Sequence, residues 1–203
     1  MQMKEAAGIN AVRSLPVWEG KDTILARIRE NDTVIIVGET GSGKTTQIPQ
    51  FLLEESQSSQ GMIGITQPRR VAATSLARRV ADELGCEDPA TLRPRSDVKT
   101  DKPAYVGYSV RFDDRTTPQT RIKFLTDGML IREVLGPGNT DEANAKRANA
   151  LLKRYGVIII DEAHERSLRT DMLLGLVKRI QYERRRLYEA GEPGITPLKV
   201  IIM

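Results

Sequence analysis

Two short stretches of this chain hold residue types suited to phosphate chemistry. The first, Gly38-Glu39-Thr40-Gly41-Ser42-Gly43-Lys44-Thr45-Thr46, satisfies the spacing G-x-x-x-x-G-K-[ST]. Glycines without Cβ let the backbone turn tightly, so several N–H groups converge on one phosphate. A helix starting near Gly43 adds its positive N-terminal end, Lys44 supplies a cation for the β- and γ-phosphates, and the Thr45 hydroxyl can ligate Mg²⁺. The apolar run Val34-Ile35-Ile36-Val37 just before it reads as a strand. That context distinguishes a nucleotide-phosphate site from a glycine-rich surface loop.

The second stretch is Asp161-Glu162, directly after Val157-Ile158-Ile159-Ile160. Hydrolysis of a bound nucleoside triphosphate needs a carboxylate for Mg²⁺ and a group that orients or deprotonates the attacking water. Parallel sheets place their ligand crevice at the C-terminal ends of strands, which is where this acidic pair falls. Asp161 is expected to hold Mg²⁺ together with Thr45, and Glu162 to act as general base; with Lys44 they make the catalytic set. The alternative, two acids merely favoured at a helix N-terminus, loses ground once the phosphate loop is present. His164, the only histidine, has no histidine or cysteine partner for a metal centre. It is read as a hydrogen-bonding link between the nucleotide site and a neighbouring surface.

The elements that must position these residues alternate in type. Strands are expected at 33–37, 62–66, 104–110, 121–126, 157–160 and 198–203. Helices are expected at 22–29, 44–55, 73–84, 127–135, 141–155 and 171–188, of which Ala73, Leu76, Ala77, Val80, Ala81 and Leu84 give the clearest apolar face. Such alternation predicts βαβ crossovers and a mostly parallel sheet covered on both faces. Residues 1–20 read as a lead-in segment and 21–203 as one domain. The last strand closes with neither turn nor helix, so a domain cut at its C-terminal end is expected. Stretches 87–102, 137–154 and 183–197 exceed what a core fold needs, and Arg184-Arg185-Arg186 reads as a solvated helix face.

Composition narrows the class. With 203 residues, 39% hydrophobic and 29% charged, the chain suits one substantial α/β core rather than a disordered segment. A net charge of +4 permits a polyanionic partner without requiring one. The single cysteine, Cys86, excludes an internal disulfide framework and is in keeping with an intracellular compartment. No run has the apolar length of a transmembrane helix, so no membrane partner is expected.

Asp161-Glu162-Ala163-His164 spells D-E-A-H, and with residues 38–46 it resembles the first RecA-like domain of DEAH-box helicases of superfamily two. Three further stretches fit that family in order: Thr66-Gln67-Pro68-Arg69-Arg70-Val71-Ala72-Ala73 resembles its motif Ia. Gly107-Tyr108-Ser109-Val110-Arg111-Phe112 resembles the segment that follows, and Phe124-Leu125-Thr126-Asp127-Gly128-Met129-Leu130 its motif Ib. The match runs over roughly residues 13–203 and is closest to RNA helicases of pre-mRNA splicing and ribosome biogenesis. The resemblance implies a RecA-like P-loop three-layer sandwich, ATP and Mg²⁺ as cofactors, and RNA as partner. It implies RNA-backbone contacts at Arg69, Arg70, Thr126 and Asp127, with Arg111 in the same groove, and Arg79 (beside Arg78) stacked on adenine. It further implies a second RecA-like domain carrying arginine fingers, an activating protein partner, residence in the nucleus or nucleolus, and 3′-to-5′ unwinding. Two other readings stay open: a nucleotide-gated RNA clamp without unwinding, and a P-loop kinase or other NTPase.

Overall fold

The computed structural model describes residues 12–55, 61–93, 102–136 and 150–203. Seven strands form its sheet: β1 (Thr33–Ile35), β2 (Met62–Gln67), β3 (Val106–Val110), β4 (Asp113–Arg115), β5 (Ile122–Thr126), β6 (Tyr155–Ile160) and β7 (Lys199–Ile202). Their order is β1-β7-β6-β2-β5-β3-β4, and every neighbouring pair runs parallel except β3 with β4. Helices α1 (Lys21–Glu30), α2 (Lys44–Glu55) and α3 (Arg70–Glu83) cover one face; α4 (Asp127–Leu135) and α5 (Leu168–Glu189) cover the other. This is the expected three-layer α/β sandwich with a mostly parallel sheet.

Alternation along each strand builds the two cores. On β5, Ile122 and Phe124 enter the core shared with α3, and Leu125 enters the one shared with α4. β6, with all six residues buried, contributes Val157 and Ile159 to the first core and Tyr155, Ile158 and Ile160 to the second. α3 meets the sheet through Ala73, Ala77, Val80 and Ala81, small side chains that let the helix lie close. The buried cation Lys123 is neutralised by Glu133 of α4 at 2.6 Å, and the Tyr155 hydroxyl donates to the same carboxylate at 2.6 Å. Cys86 is buried and desolvation raises its thiol pKa, which suits a structural role.

Several expectations need correcting. β1 stops at Ile35 and lies at the sheet edge with only β7 beside it, so Ile35 and Val37 are exposed rather than buried. One further ladder bond, Ile36 N–H to Ile202 O at 2.9 Å, follows before the chain peels away into the glycine loop. The lead-in before α1 is itself partly structured, with a turn of helix at Pro16–Trp18. The strand Asp113–Arg115 was not expected; it pairs antiparallel with β3 across a turn in which Phe112 has φ 68°. Tyr155 begins β6 instead of ending a helix, while residues 141–149 of that expected helix lie outside the described residues, as do 56–60, 94–101 and 137–140. Within the stretches read as surplus, Leu92, Leu152, Leu187 and Ile195 are buried.

The arginine cluster is the largest departure. Arg184 is 1% exposed. Its guanidinium donates to Thr196 O (2.7 Å), Tyr155 O (2.8 Å), Leu152 O (3.2 Å) and Thr196 Oγ1 (3.0 Å). Desolvation lowers its pKa to about 10, so it is charged at neutral pH. It falls on the buried stripe Leu173, Val177, Ile180, Arg184, Leu187 of α5, a spacing that marks it as inward-facing despite its charge. Arg185 and Arg186 are exposed, in ion pairs with Glu189 and Asp32, and with Glu183.

Candidate nucleotide site

The glycine loop leaves the C-terminal end of β1 and feeds α2. Gly41 and Gly43 take φ of 83° and 93°, angles that cost a residue with Cβ about 1–3 kcal/mol. A Cβ on Gly43 would also lie 2.9 Å from Leu15 Cδ1. Val17 N–H donates to Ser42 O at 3.1 Å, and Ser42 Oγ donates to Glu39 O at 2.8 Å, so the loop is held from both sides. Lys44 Nζ donates to Gly38 O (2.6 Å) and Glu39 O (2.9 Å). Those carbonyls stand in for the phosphate oxygens an ammonium in this position would meet. α2 starts at Lys44, leaving first-turn N–H groups with no preceding helical carbonyl to bond.

The acidic pair arrives from β6, one strand removed from β1, with β7 between them. Asp161 is 4% exposed. Its Oδ2 accepts from Thr45 Oγ1 at 2.7 Å and from Gln67 Nε2 at 2.5 Å, and its Oδ1 accepts from Glu162 N–H at 2.9 Å. Glu162 has φ 54°, ψ 33° and opens the short turn Ala163–Glu165; left-handed backbone at a non-glycine residue is a strain concentrated at functional sites. Its carboxylate is partly exposed and stands 3.5 Å from His164 Nδ1. The hydroxyl and carboxylate oxygens of Thr45 and Asp161 are hard donors at one point, a set that fits Mg²⁺. The loop, Lys44 and this pair therefore fit a magnesium–nucleotide complex.

Every loop residue from Gly38 to Thr46 except Glu39, together with Asp161 and Glu162, lines one cleft of about 570 Å³, within the range of small-molecule sites, which also takes in Leu76, Arg79 and His164. Arg79 pairs with Glu83 at 2.9 Å, while the other Glu83 oxygen accepts from Gln47 and Gln50 of α2. A larger cleft of about 850 Å³ lies on the α4 side near the starts of β2, β5 and β6, among Lys123, Arg132, Glu133, Arg154 and Tyr155, and none of the expected site residues lines it.

The residues assigned to RNA sit at the same strand ends but do not all face outward. Arg69 and Arg70 follow β2 and are exposed; Arg69 makes a 3.2 Å ion pair with Glu165. Thr126 is half-buried at the end of β5, in register with Gln67. Arg111, exposed at the β3–β4 turn, lies against its neighbour Phe112 at 4.8 Å. Asp127 is 3% exposed and accepts from Thr170 Oγ1 at 2.7 Å, so its carboxylate holds α5 to α4 and offers no surface to a strand. Sequence reasoning passed over Gln67, whose contact with Asp161 becomes visible only when β2 is laid beside β6.

Fold and site together define a P-loop nucleotide-binding domain of α/β type. The family model described as AAA domain matches residues 28–191, and the chain belongs to that family. ATP-dependent RNA helicase DHX33 of Homo sapiens is 48% identical over 191 residues, 94% of this chain and 22% of that protein. The protein of the same name in Drosophila melanogaster is 49% identical over 174 residues, 86% of this chain and 21% of its own length. The pre-mRNA-splicing factor ATP-dependent RNA helicase DEAH10 of Arabidopsis thaliana is 47% identical over 173 residues, 85% of this chain and 20% of its own length. The chain thus spans about a fifth of these relatives. The resemblance to the first RecA-like domain of DEAH-box RNA helicases is borne out. Among the described residues no helix is long and apolar enough to cross a membrane.

Proposed function

We propose that this chain is the ATP-binding domain, residues 21–203 with a lead-in before it, of an ATP-dependent RNA helicase that hydrolyses ATP with Mg²⁺. The observation that carries this reading is the 2.7 Å contact of Thr45 with Asp161, which joins the phosphate loop to the acidic pair. In the working site the loop N–H groups and Lys44 bind and orient the phosphates, Arg79 meets the adenine, and Thr45 and Asp161 hold Mg²⁺. Bound there, the metal neutralises charge developing on the β- and γ-phosphate oxygens. Glu162 accepts the proton of the attacking water, and His164 links this chemistry to the neighbouring surface.

Exposed Arg69 and Arg70, with Thr126 and Arg111, supply cations and a hydroxyl above the sheet for phosphate and sugar contacts, which position a strand without reading its sequence. The relatives' names support RNA as partner. A second RecA-like domain brings arginine fingers, worth 10³–10⁵ in turnover; residues 1–203 alone are therefore slow. An activating protein and a nuclear or nucleolar site of action complete the proposal, the latter supported by the splicing role in the Arabidopsis relative's name.

The test uses the full-length protein. Lys44→Ala weakens nucleotide binding, whereas Glu162→Gln abolishes hydrolysis and leaves binding intact. Near-normal turnover in Glu162→Gln refutes the general-base role, and ATP-independent or absent strand separation by the wild type refutes the helicase.

A further inference from the structure

We infer that Gln67 is a positioning residue for the magnesium site, through which the turn after β2 acts on the metal-binding carboxylate. The inference rests on the nucleotide reading above and adds a residue to it.

The physical case starts from the sheet. β2 lies between β6 and β5, so its last residue, Gln67, has Asp161 on one flank and Thr126 on the other. Gln67 is 2% exposed. A buried carboxamide must spend its N–H groups on acceptors, and this one donates to Asp161 Oδ2 at 2.5 Å. The same oxygen takes the Thr45 hydroxyl, and Oδ1 takes the Glu162 amide. Three donors from three elements therefore fix the orientation of one buried anion. Of the three, Thr45 is itself a metal-binding residue and the Glu162 amide belongs to the adjoining residue. Gln67 alone comes from a strand that contributes nothing else to the metal.

Partners of this kind, which touch a metal ligand rather than the metal, are worth about 10–100-fold in metal affinity. Gln67 is also joined through Pro68 to Arg69 and Arg70. A nucleic-acid phosphate drawing those arginines moves the backbone that carries the Gln67 side chain, and Asp161 is the anion at its tip. Arg69 starts from a 3.2 Å ion pair with Glu165 in the turn next to Glu162, so the same turn is tied to the acidic strand at two points. Coupling of this sort is reciprocal: RNA changes nucleotide affinity by the factor by which nucleotide changes RNA affinity.

Gln67→Leu and Gln67→Met both keep most of the bulk without the donor. In the full-length protein, binding of a fluorescent ADP is titrated with Mg²⁺, with and without single-stranded RNA, and Mn²⁺ binding is followed by electron paramagnetic resonance. Both variants are expected to raise the Mg²⁺ and Mn²⁺ half-saturation about 10–100-fold, and to bring the factor by which RNA alters nucleotide affinity towards one. Ile65→Val, a core change on the same strand, leaves both readouts unchanged. An unaltered metal half-saturation or an unaltered RNA factor in Gln67→Leu overturns the inference, even with Lys44→Ala and Glu162→Gln behaving as described above. Absence of nucleotide binding by the wild type instead defeats the nucleotide reading, and this inference with it.

Discussion

Arg184→Met removes the buried guanidinium, charge and donors together, and keeps an unbranched apolar side chain in its place. In an ordinary buried ion pair both partners can be exchanged for apolar groups at little cost. Here the acceptors are main-chain carbonyls and no substitution removes them. Leu152 O keeps a second donor, Tyr155 N–H at 2.9 Å, but Thr196 O and Tyr155 O lose the guanidinium. Each buried acceptor stripped of its donor costs about 1–3 kcal/mol, so two cost about 2–6 kcal/mol. Relief of the desolvation that lowers the Arg184 pKa offsets part of that. The expected net loss is about 3 kcal/mol, or about 6–12 °C in Tm for a chain of this size. Urea unfolding of Arg184→Met against wild type measures it, with Arg186→Ala as the exposed control expected to stay within about 0.5 kcal/mol. A loss below about 1 kcal/mol in Arg184→Met refutes the clamp, because the carbonyls would then have found other partners.

Burial, reinforced by Glu133, holds the Tyr155 hydroxyl pKa well above its ordinary value. The folded chain then keeps a proton that the unfolded chain loses near pH 10, so this stability is complete below that pH and falls by about 1.4 kcal/mol per unit above it. Tyr155→Phe should flatten the decline in urea midpoints between pH 9 and 11; an unchanged slope would assign the decline to other groups. Gly43→Ala forces φ of 93° on a residue with Cβ and presses Leu15. A strain of about 1–3 kcal/mol should weaken nucleotide binding about 5- to 150-fold, and calorimetric titration with ADP showing wild-type affinity would rule that out.

Local chemistry was the legible part of this chain. The glycine loop, the acid pair and the apolar stripe of α3 are each set by residues within a dozen positions of one another, and the structure brings the loop and the acid pair to one cleft. Legibility failed where a residue's environment comes from a distant segment. Arg184 looks solvated beside Arg185 and Arg186; the apolar stripe of α5 aims it inward, but the carbonyls that receive its charge there come from residues 152, 155 and 196. Asp127 lies in the motif expected to touch RNA and was itself expected there, yet it is buried and Thr170, 43 positions away, donates to its Oδ2. β4 is Asp-Asp-Arg, without apolar alternation or β-branched residues, and exists because the preceding turn folds it back onto β3. Strand order is likewise invisible in a single chain: neither the edge position of β1 nor the wedge of β7 leaves a local mark.

That wedge governs when the site can come into being. β1, which leads into the glycine loop, touches the sheet only through β7, with Thr33 opposite Val200. Ring closure over so many residues is entropically expensive, and parallel pairings of this range form late and slowly. During synthesis at about 5–20 residues per second, the loop waits on the order of ten seconds before β7 exists to receive β1. Nascent chains that end before β7 should accordingly fail to retain nucleotide, however complete their loop. Ligand cannot template the early steps of folding in this architecture; it reports, and then locks, a sheet in which β7 already stands beside β1.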